Sequence, residues 1–239
     1  MKKIIVILLC LCQSSWGTIT LVHSTVQGGF TASLTIPSTI AGNFLVVACI
    51  CDATPCTGIM DNATGGTNTY IDIPLARSTY TATGPFPESI YYSQTIHNGA
   101  TSVTCVGGSA DLVSVYEYSG VLASGNPVDV SSGTTGQLCS GTSCLGGKIT
   151  TTNAGDVIFG TGDQGQQWTA ITSPWTDGIF SGVTGQAAAD YIPGVIVTSN
   201  QANWTDNTSG DHYASSTVAF LPASPTKMMS PICKNELHL

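Results

Sequence analysis

The apolar residues of this chain fall in short runs separated by Thr, Ser, Gly and Asn. Helical spacing is nearly absent. Two-residue alternation and compact apolar stretches recur, and these are strand signatures. They predict strands over 18–26, 31–36, 43–51, 69–73, 90–96, 102–106, 112–118, 156–160, 167–171, 186–191, 194–198 and 215–221. Segment 31–36 alternates around Ala32, Leu34 and Ile36. Segment 43–51 is apolar at both parities, as a central strand covered on both faces would be. Asn98-Gly99, Gly107-Gly108 and Gly125-Asn126-Pro127 supply turns between runs. β-Branched residues dominate the runs, which suits a pleated, half-buried surface. The predicted fold is all-β: two antiparallel sheets packed as a β-sandwich, jelly-roll-like, because about a dozen strands in one domain suit that topology. No internal repeat stands out. Residues 18–222 read as one domain without a linker, and 223–239 as a C-terminal tail.

The first seventeen residues read differently. Lys2 and Lys3 precede a nine-residue apolar stretch over 4–12, with small Ser15 and Gly17 at the −3 and −1 positions of a cleavage site. That order is a secretory signal. The stretch is too short to cross a bilayer, which takes roughly 20 residues. No second apolar span follows, so the expectation is a secreted or cell-surface protein with no membrane span.

Charge narrows the partners. The formal net charge is −8, and losing Lys2 and Lys3 takes it to −8 − 2 = −10. Between residues 18 and 222 the only cationic side chains are Arg77 and Lys148. Such a chain cannot present the basic stripe that nucleic acid requires, nor bind an anionic membrane surface. Hydrophobic residues make up 42% of it, against 8% charged, the reverse of a disordered composition.

Several phrases carry a resemblance. They are, in order, Ile40-Ala-Gly-Asn-Phe-Leu-Val-Val47, Asp61 with Asn68-Thr69-Tyr70, Ile90-Tyr91-Tyr92 and Gly99-Ala-Thr-Ser-Val-Thr104. Then come Tyr116-Glu-Tyr-Ser-Gly120 with Asn126-Pro-Val-Asp129, Ala154-Gly-Asp-Val-Ile-Phe-Gly160, Trp168-Thr169 and Val218-Ala-Phe-Leu221. The set resembles a widespread group of exported bacterial β-sandwich surface modules and covers most of the chain after residue 17. The resemblance implies a two-sheet sandwich on an exported or surface protein. It implies no reaction. The cysteine content departs from the usual pattern of the group.

Seven cysteines follow residue 17, and an exported chain oxidises them. Cys139 and Cys144 bracket a Gly/Ser loop that closes easily. Cys51 and Cys56 bracket a turn at a strand end. Cys49 and Cys105 sit in apolar strands and are placed to join neighbouring strands or the two sheets. Seven is odd, so a thiol is left over; Cys233 in the tail is the candidate for an intermolecular bond, or has no role. No Cys-x-x-Cys occurs and no His cluster accompanies Cys49-Ile50-Cys51, so no metal site is read.

No P-loop, dinucleotide fingerprint, Gly-x-Ser-x-Gly elbow or His-Glu-x-x-His occurs. Glu117, between Tyr116 and Tyr118, is expected to point to solvent or to a buried partner. No catalytic residue is named. Trp168, Trp175, Trp204 and Tyr213 lie in or beside Gly/Asp/Asn-rich segments. That pattern suits a glycan site, where rings stack on sugar C–H faces, and equally suits rings that fill loop cores. Oxygen-rich stretches at Asp61-Asn62 and over Asp206 to Asp211 are candidates for Ca²⁺, without the spacing of a known calcium loop. Asn62, Asn203 and Asn207 begin glycosylation sequons.

A low-charge, Thr/Ser-rich, disulfide-stapled sandwich also suits a self-assembling subunit. The strand over 18–26, with Ile19, Leu21 and Val26, is the candidate to complete a neighbour's sheet, or else it pairs at home. The functional expectation is therefore a non-enzymatic, exported structural or adhesive protein. Its partner is a second copy of itself, giving a filament or surface layer. The alternative is a lectin-like module whose partner is an extracellular glycan.

Overall fold

In the computed structural model the described residues are 18–29, 32–76, 78–80, 86–180, 185–193, 195–197 and 200–223. The expected leader, residues 224–239 of the tail, and Cys233 lie outside them. The first half of the chain forms β1 (Thr20–Gly28), β2 (Ser33–Thr35), β3 (Phe44–Asp52), β4 (Gly58–Asp61), β5 (Ile71–Asp72), a 3-10 turn (Pro74–Ala76), β6 (Ser78–Tyr80), β7 (Phe86–Ser93), β8 (Ser102–Val106) and β9 (Ser109–Ser119). The second half forms β10 (Val128–Leu138), β11 (Ser143–Leu145), β12 (Val157–Gln164), β13 (Trp168–Ile171), β14 (Thr176–Phe180), β15 (Gly185–Tyr191), β16 (Asn203–Asp206) and β17 (His212–Phe220). The fold is all-β and antiparallel, as expected.

Within each half the pairings nest. β1 pairs with β9, β2 with β8 and β3 with β7; likewise β10 pairs with β17, β11 with β16 and β12 with β15. First-with-last, second-with-penultimate pairing is a long hairpin rolled on itself, which is the jelly-roll plan. Each half thus has a large sheet, β1-β9-β3-β7-β5 (with β6 also on β7) or β10-β17-β12-β15-β14, and a three-stranded sheet, β2-β8-β4 or β11-β16-β13.

The sandwich therefore has four layers rather than two, and the chain does contain a structural repeat. Local details match between the halves. Gly42, at φ +85°, precedes Asn43-Phe44, and Gly155, at φ +82°, precedes Asp156-Val157; only glycine turns this corner without strain. Phe44 lies opposite Tyr118, and Val157 opposite Phe220. Each first strand carries a register shift at the same place, between Leu21 and His23 in β1 and between Val128 and Val130 in β10. The repeat escapes the sequence because burial demands apolar side chains, not identical ones; only Ala-Gly-Asn and Ala-Gly-Asp remain as a matching phrase.

Alternation along β3 explains its two-sided apolarity. Phe44, Val46 and Ala48 enter an inner core between the two large sheets, with Tyr116 and Tyr118 of β9, Phe159 of β12 and Phe220 of β17. Leu45, Val47, Cys49 and Cys51 enter an outer core against β2, β4 and β8. β12 does the same, with Val157 and Phe159 inward and Ile158 in a second outer core under β11, β13 and β16. Edge-on aromatic pairs knit the inner core: Phe44 with Phe220 at 5.0 Å and Tyr116 with Phe159 at 5.0 Å between centroids.

The main misses are polar. The spacing predicts no strand over 128–138, yet β10 is there; its Ser-Ser-Gly-Thr-Thr-Gly stretch borders the sheet, where an apolar face is not needed. Of the expected strand over 194–198, the described residues 195–197 form none, and Val195 and Ile196 stay exposed.

All three expected disulfides form. Cys49–Cys105 ties β3 to β8 and so the large sheet to the small one; Cys51–Cys56 and Cys139–Cys144 close short turns. Three disulfides fit an oxidising compartment. On the chain-entropy estimate, a separation of 56 residues is worth about 4 kcal/mol and a separation of 5 about 2 kcal/mol. Urea unfolding of Cys49→Ala/Cys105→Ala should therefore lose about twice the stability lost by Cys51→Ala/Cys56→Ala. Equal losses would contradict that role for the inter-sheet bridge.

Candidate functional site

The four aromatics expected to hold a glycan turn inward. Trp168 on β13, Trp204 on β16 and Tyr213 on β17 meet in the second outer core, with Trp168 at 5.7 Å from Trp204 and 6.5 Å from Tyr213. Trp175 packs edge-on to Tyr191 at 5.0 Å. Relative exposures are 1% for Trp168, 0% for Trp204, 6% for Trp175 and 4% for Tyr213, so no ring face is open to a sugar. Three of the four also use their polar atoms: Trp168 Nε1 donates to Gly162 O (3.2 Å), Trp204 Nε1 to Ser215 Oγ (3.0 Å) and Tyr213 Oη to Leu145 O, whereas Trp175 Nε1 is buried without a partner. The sequence signal for this lies in β12. A Cβ at Gly162 would sit 3.0 Å from the Trp204 ring, and one at Gly160 3.1 Å from Trp175. Gly162→Ala should accordingly cost about 1–3 kcal/mol by overpacking and alter the near-ultraviolet circular dichroism; an unchanged spectrum and stability would argue against this packing.

Of the oxygen-rich candidates, Asp61 and Asn62 are committed within the chain, whereas Asp206 Oδ2 and Asp211 Oδ2 are buried without a hydrogen-bond partner. Asp61 accepts from the Ala63 amide (3.0 Å), Asn68 Nδ2 (2.7 Å) and Tyr70 Oη (2.6 Å). Asn62 Oδ1 accepts from the amides of Thr101 and Ser102, at 2.8 and 2.9 Å. Together they pin the turn after β4 to the start of β8, which is a structural use of the oxygens expected to bind Ca²⁺. Asp206 is buried and accepts from Gln164 Nε2 (3.2 Å) and the Thr208 amide (3.1 Å). The sulfurs of Cys139 and Cys144 lie beside it, but as a disulfide they offer no thiolate to a metal. Of the sequons, Asn207 is exposed, whereas Asn62 Nδ2 donates to Thr101 Oγ1 (3.0 Å).

Glu117 finds a buried partner. His23 Nε2 of β1 lies 2.7 Å from Glu117 Oε2, and Glu117 Oε1 accepts from the Ile40 amide (3.0 Å) and Asn43 Nδ2. This anchors β1 to its own sheet. Ile19 is buried in the inner core and Leu21 and Val26 pack against it. The strand considered for donation to a neighbour thus pairs at home, because its apolar residues serve its own core.

The matching corner of the second half carries two acids instead. Asp156, where Asn43 stands in the first half, is buried beside Asp129, whose carboxylate accepts from the amide and hydroxyl of Thr152. Burial first, then Asp129, pushes Asp156 up to about 8.

A further set of polar groups lies between the large sheets. Glu88 Oε2 of β7 accepts from Thr161 Oγ1 (3.0 Å) of β12 and Ser216 Oγ (2.7 Å) of β17. Asp163 Oδ1 accepts from Gln186 Nε2 (3.0 Å). Burial, followed by the charge of Glu88, pushes Asp163 well above the usual carboxylate range. Burial, followed by Asp52, pushes Asp111 up to about 6. Sequence reasoning names none of these; the available signal is an acidic residue inside an otherwise apolar strand. At the edge of the same interface, Ile71, Pro74, Leu75, Tyr92 and Val128 help line an open groove of about 290 Å³.

Comparison with protein families, curated proteins and solved structures finds no match.

The raised carboxyls fix a pH dependence. Asp156 and Asp111 hold protons in the folded protein that the unfolded chain releases above about pH 4. Folding is favoured by these groups below that pH, and their contribution is lost as pH rises through about 6 and about 8. The thermal midpoint should fall between pH 5 and 9, and Asp156→Asn should flatten the upper part of that slope. A wild-type midpoint rising over the same range would refute the assignment.

Proposed function

We propose that this chain is an exported, non-enzymatic structural or adhesive protein that associates with copies of itself through sheet edges. The observation that carries the reading is the free side of β1. Among the described residues this nine-residue strand pairs with β9 alone and ends its sheet. It bears no lysine or arginine, the usual guards of an open edge. β10, at eleven residues, ends the other large sheet in the same way. An open edge without lysine or arginine offers a row of backbone donors and acceptors to another strand. The disulfides, the leader-like residues 1–17 and the resemblance to exported surface modules support the extracellular setting. The lectin-like reading lacks an exposed ring at Trp168, Trp175, Trp204 or Tyr213 and gains no support.

Deleting β1 would confuse assembly with folding, since Ile19 and Leu21 serve the inner core. Val22 and Gln27 are exposed on that strand, so Val22→Lys/Gln27→Lys places charge on the edge while sparing the core. Negative-stain electron microscopy and light scattering of the mature, oxidised protein should show filaments or sheets. The double variant should remain a folded monomer with an unchanged far-ultraviolet spectrum. A wild-type protein that stays monomeric at high concentration, or a variant that still assembles, would overturn the reading.

A further inference from the structure

Two disulfides lie side by side in the first outer core. The Sγ atoms of Cys49, Cys105 and Cys56 are all within 4.8 Å of one another, and Cys56 is bonded in turn to Cys51. Four sulfurs thus share one place, and each of these residues is at most 2% exposed. Cys49 and Cys51 share a face of β3, as alternate residues of a strand do. Cys105 stands on β8 opposite Ile59. The turn that carries Cys56 is held by Tyr91 Oη, which donates to Cys56 O (2.8 Å), and by the Thr57 amide, which donates to Val106 O (2.7 Å). Strand ladders and these hydrogen bonds, and not the bridges alone, bring the four together.

Disulfides form from thiolates, so the newly made chain carries thiols. In that state four soft donors face one another in an apolar setting. A set of thiolates selects Zn²⁺, with Zn–S about 2.3 Å and hence tetrahedral S···S about 3.8 Å. The Cα separations across the two bridges are 6.2 and 5.9 Å, so side-chain rotation reaches that spacing with the strands in place. Gly108 roofs the cluster, where a Cβ would stand 3.4 Å from Cys51 Cβ and 3.6 Å from Cys56 Sγ. We propose that Cys49, Cys51, Cys56 and Cys105 form a zinc site in the reduced chain, which the two disulfides replace on oxidation. No Cys-x-x-Cys marks it, because strand alternation and a second strand supply the ligands. The other sulfur cluster, Cys139 and Cys144 beside Asp206, offers only two sulfurs.

The replacement balances. Two external organic disulfides take four electrons from the four zinc-bound thiolates and leave as four thiols, with four protons from water. Two protein disulfides form and Zn²⁺ is released. Metal binding is coupled to folding, so zinc holds β3 against β8 before Cys49–Cys105 does.

The test unfolds and reduces the full mature chain with a phosphine, then refolds it without oxygen in the presence of Zn²⁺, or of Co²⁺ as its coloured substitute. The Co²⁺ form should show the visible d–d absorption of tetrahedral thiolate coordination, and added Zn²⁺ should bleach it. Zn²⁺ should raise the thermal midpoint of the reduced chain by about 5 °C. Cys51→Ser should shift the absorption to shorter wavelength or abolish it, and should bind metal at least about tenfold more weakly. Cys139→Ser/Cys144→Ser should leave spectrum and affinity unchanged. Oxidised glutathione should discharge the metal and restore Cys49–Cys105. A reduced wild-type chain without the absorption would overturn the proposal, as would an unaltered spectrum in Cys51→Ser or in Cys49→Ser/Cys105→Ser.

Discussion

Everything in this fold hangs on the face-to-face burial of its two large sheets. A sheet with one wet face needs apolar residues at one parity only. Here β3, β9, β12 and β17 are buried along nearly their whole length, because each is covered on both sides. The inner core supplies the common wall, and the small sheets close the outer faces. Neither large sheet could stay in water alone with Phe44, Tyr116, Phe159 and Phe220 exposed on its inner face. The halves are thus two jelly rolls by topology that share one apolar wall.

That same wall explains where the polar chemistry concentrates. Toward one end of the interface the aromatic residues give way to Glu88, Asp111, Thr161, Asp163, Gln186 and Ser216. Hydroxyls and amides satisfy part of the group across the sheets, as Thr161 and Ser216 do for Glu88. A low-dielectric setting makes every matched pair stronger and every unmatched oxygen more costly. The interface therefore specifies the mutual placement of the halves more sharply than apolar packing alone would, and it makes that placement sensitive to protons.

Much of this was legible in the residues, and the limits have physical causes. The two-sided strand over 43–51 announced a central position, and the Cys-x4-Cys spacings at Cys51–Cys56 and Cys139–Cys144 announced local bridges. Cys49 and Cys105 were recognisable as partners because both sit in apolar strands. The direction of the tryptophans was not readable, since Trp168 and Trp204 have the same Gly, Asp and Asn neighbours whether they point out or in. Only Gly160 and Gly162, needless in a loop but necessary beneath an indole, distinguish the two. β10 was hidden because an edge strand of Ser, Thr and Gly shows no period. The repeat was hidden because a topology can persist after all but a corner glycine and its neighbours have changed.

The two outer cores show how one topology admits two solutions. The first is filled by branched aliphatic residues and Tyr91, with Cys49–Cys105 crossing from the large sheet to the small one. The second holds three tryptophans, and the strands beneath them carry Gly160, Gly162, Ala187 and Ala189. Large rings demand small neighbours at fixed layer spacing, so the indoles and the glycines of β12 form a coupled set. A bridge across the second core would compete for the same space. Its one disulfide, Cys139–Cys144, accordingly closes a turn at the rim. Since both outer cores are spent on packing, binding energy for a partner is left to the surface. The outer edges of β1 and β10, which carry no lysine or arginine, are the longest strand edges of that surface among the described residues.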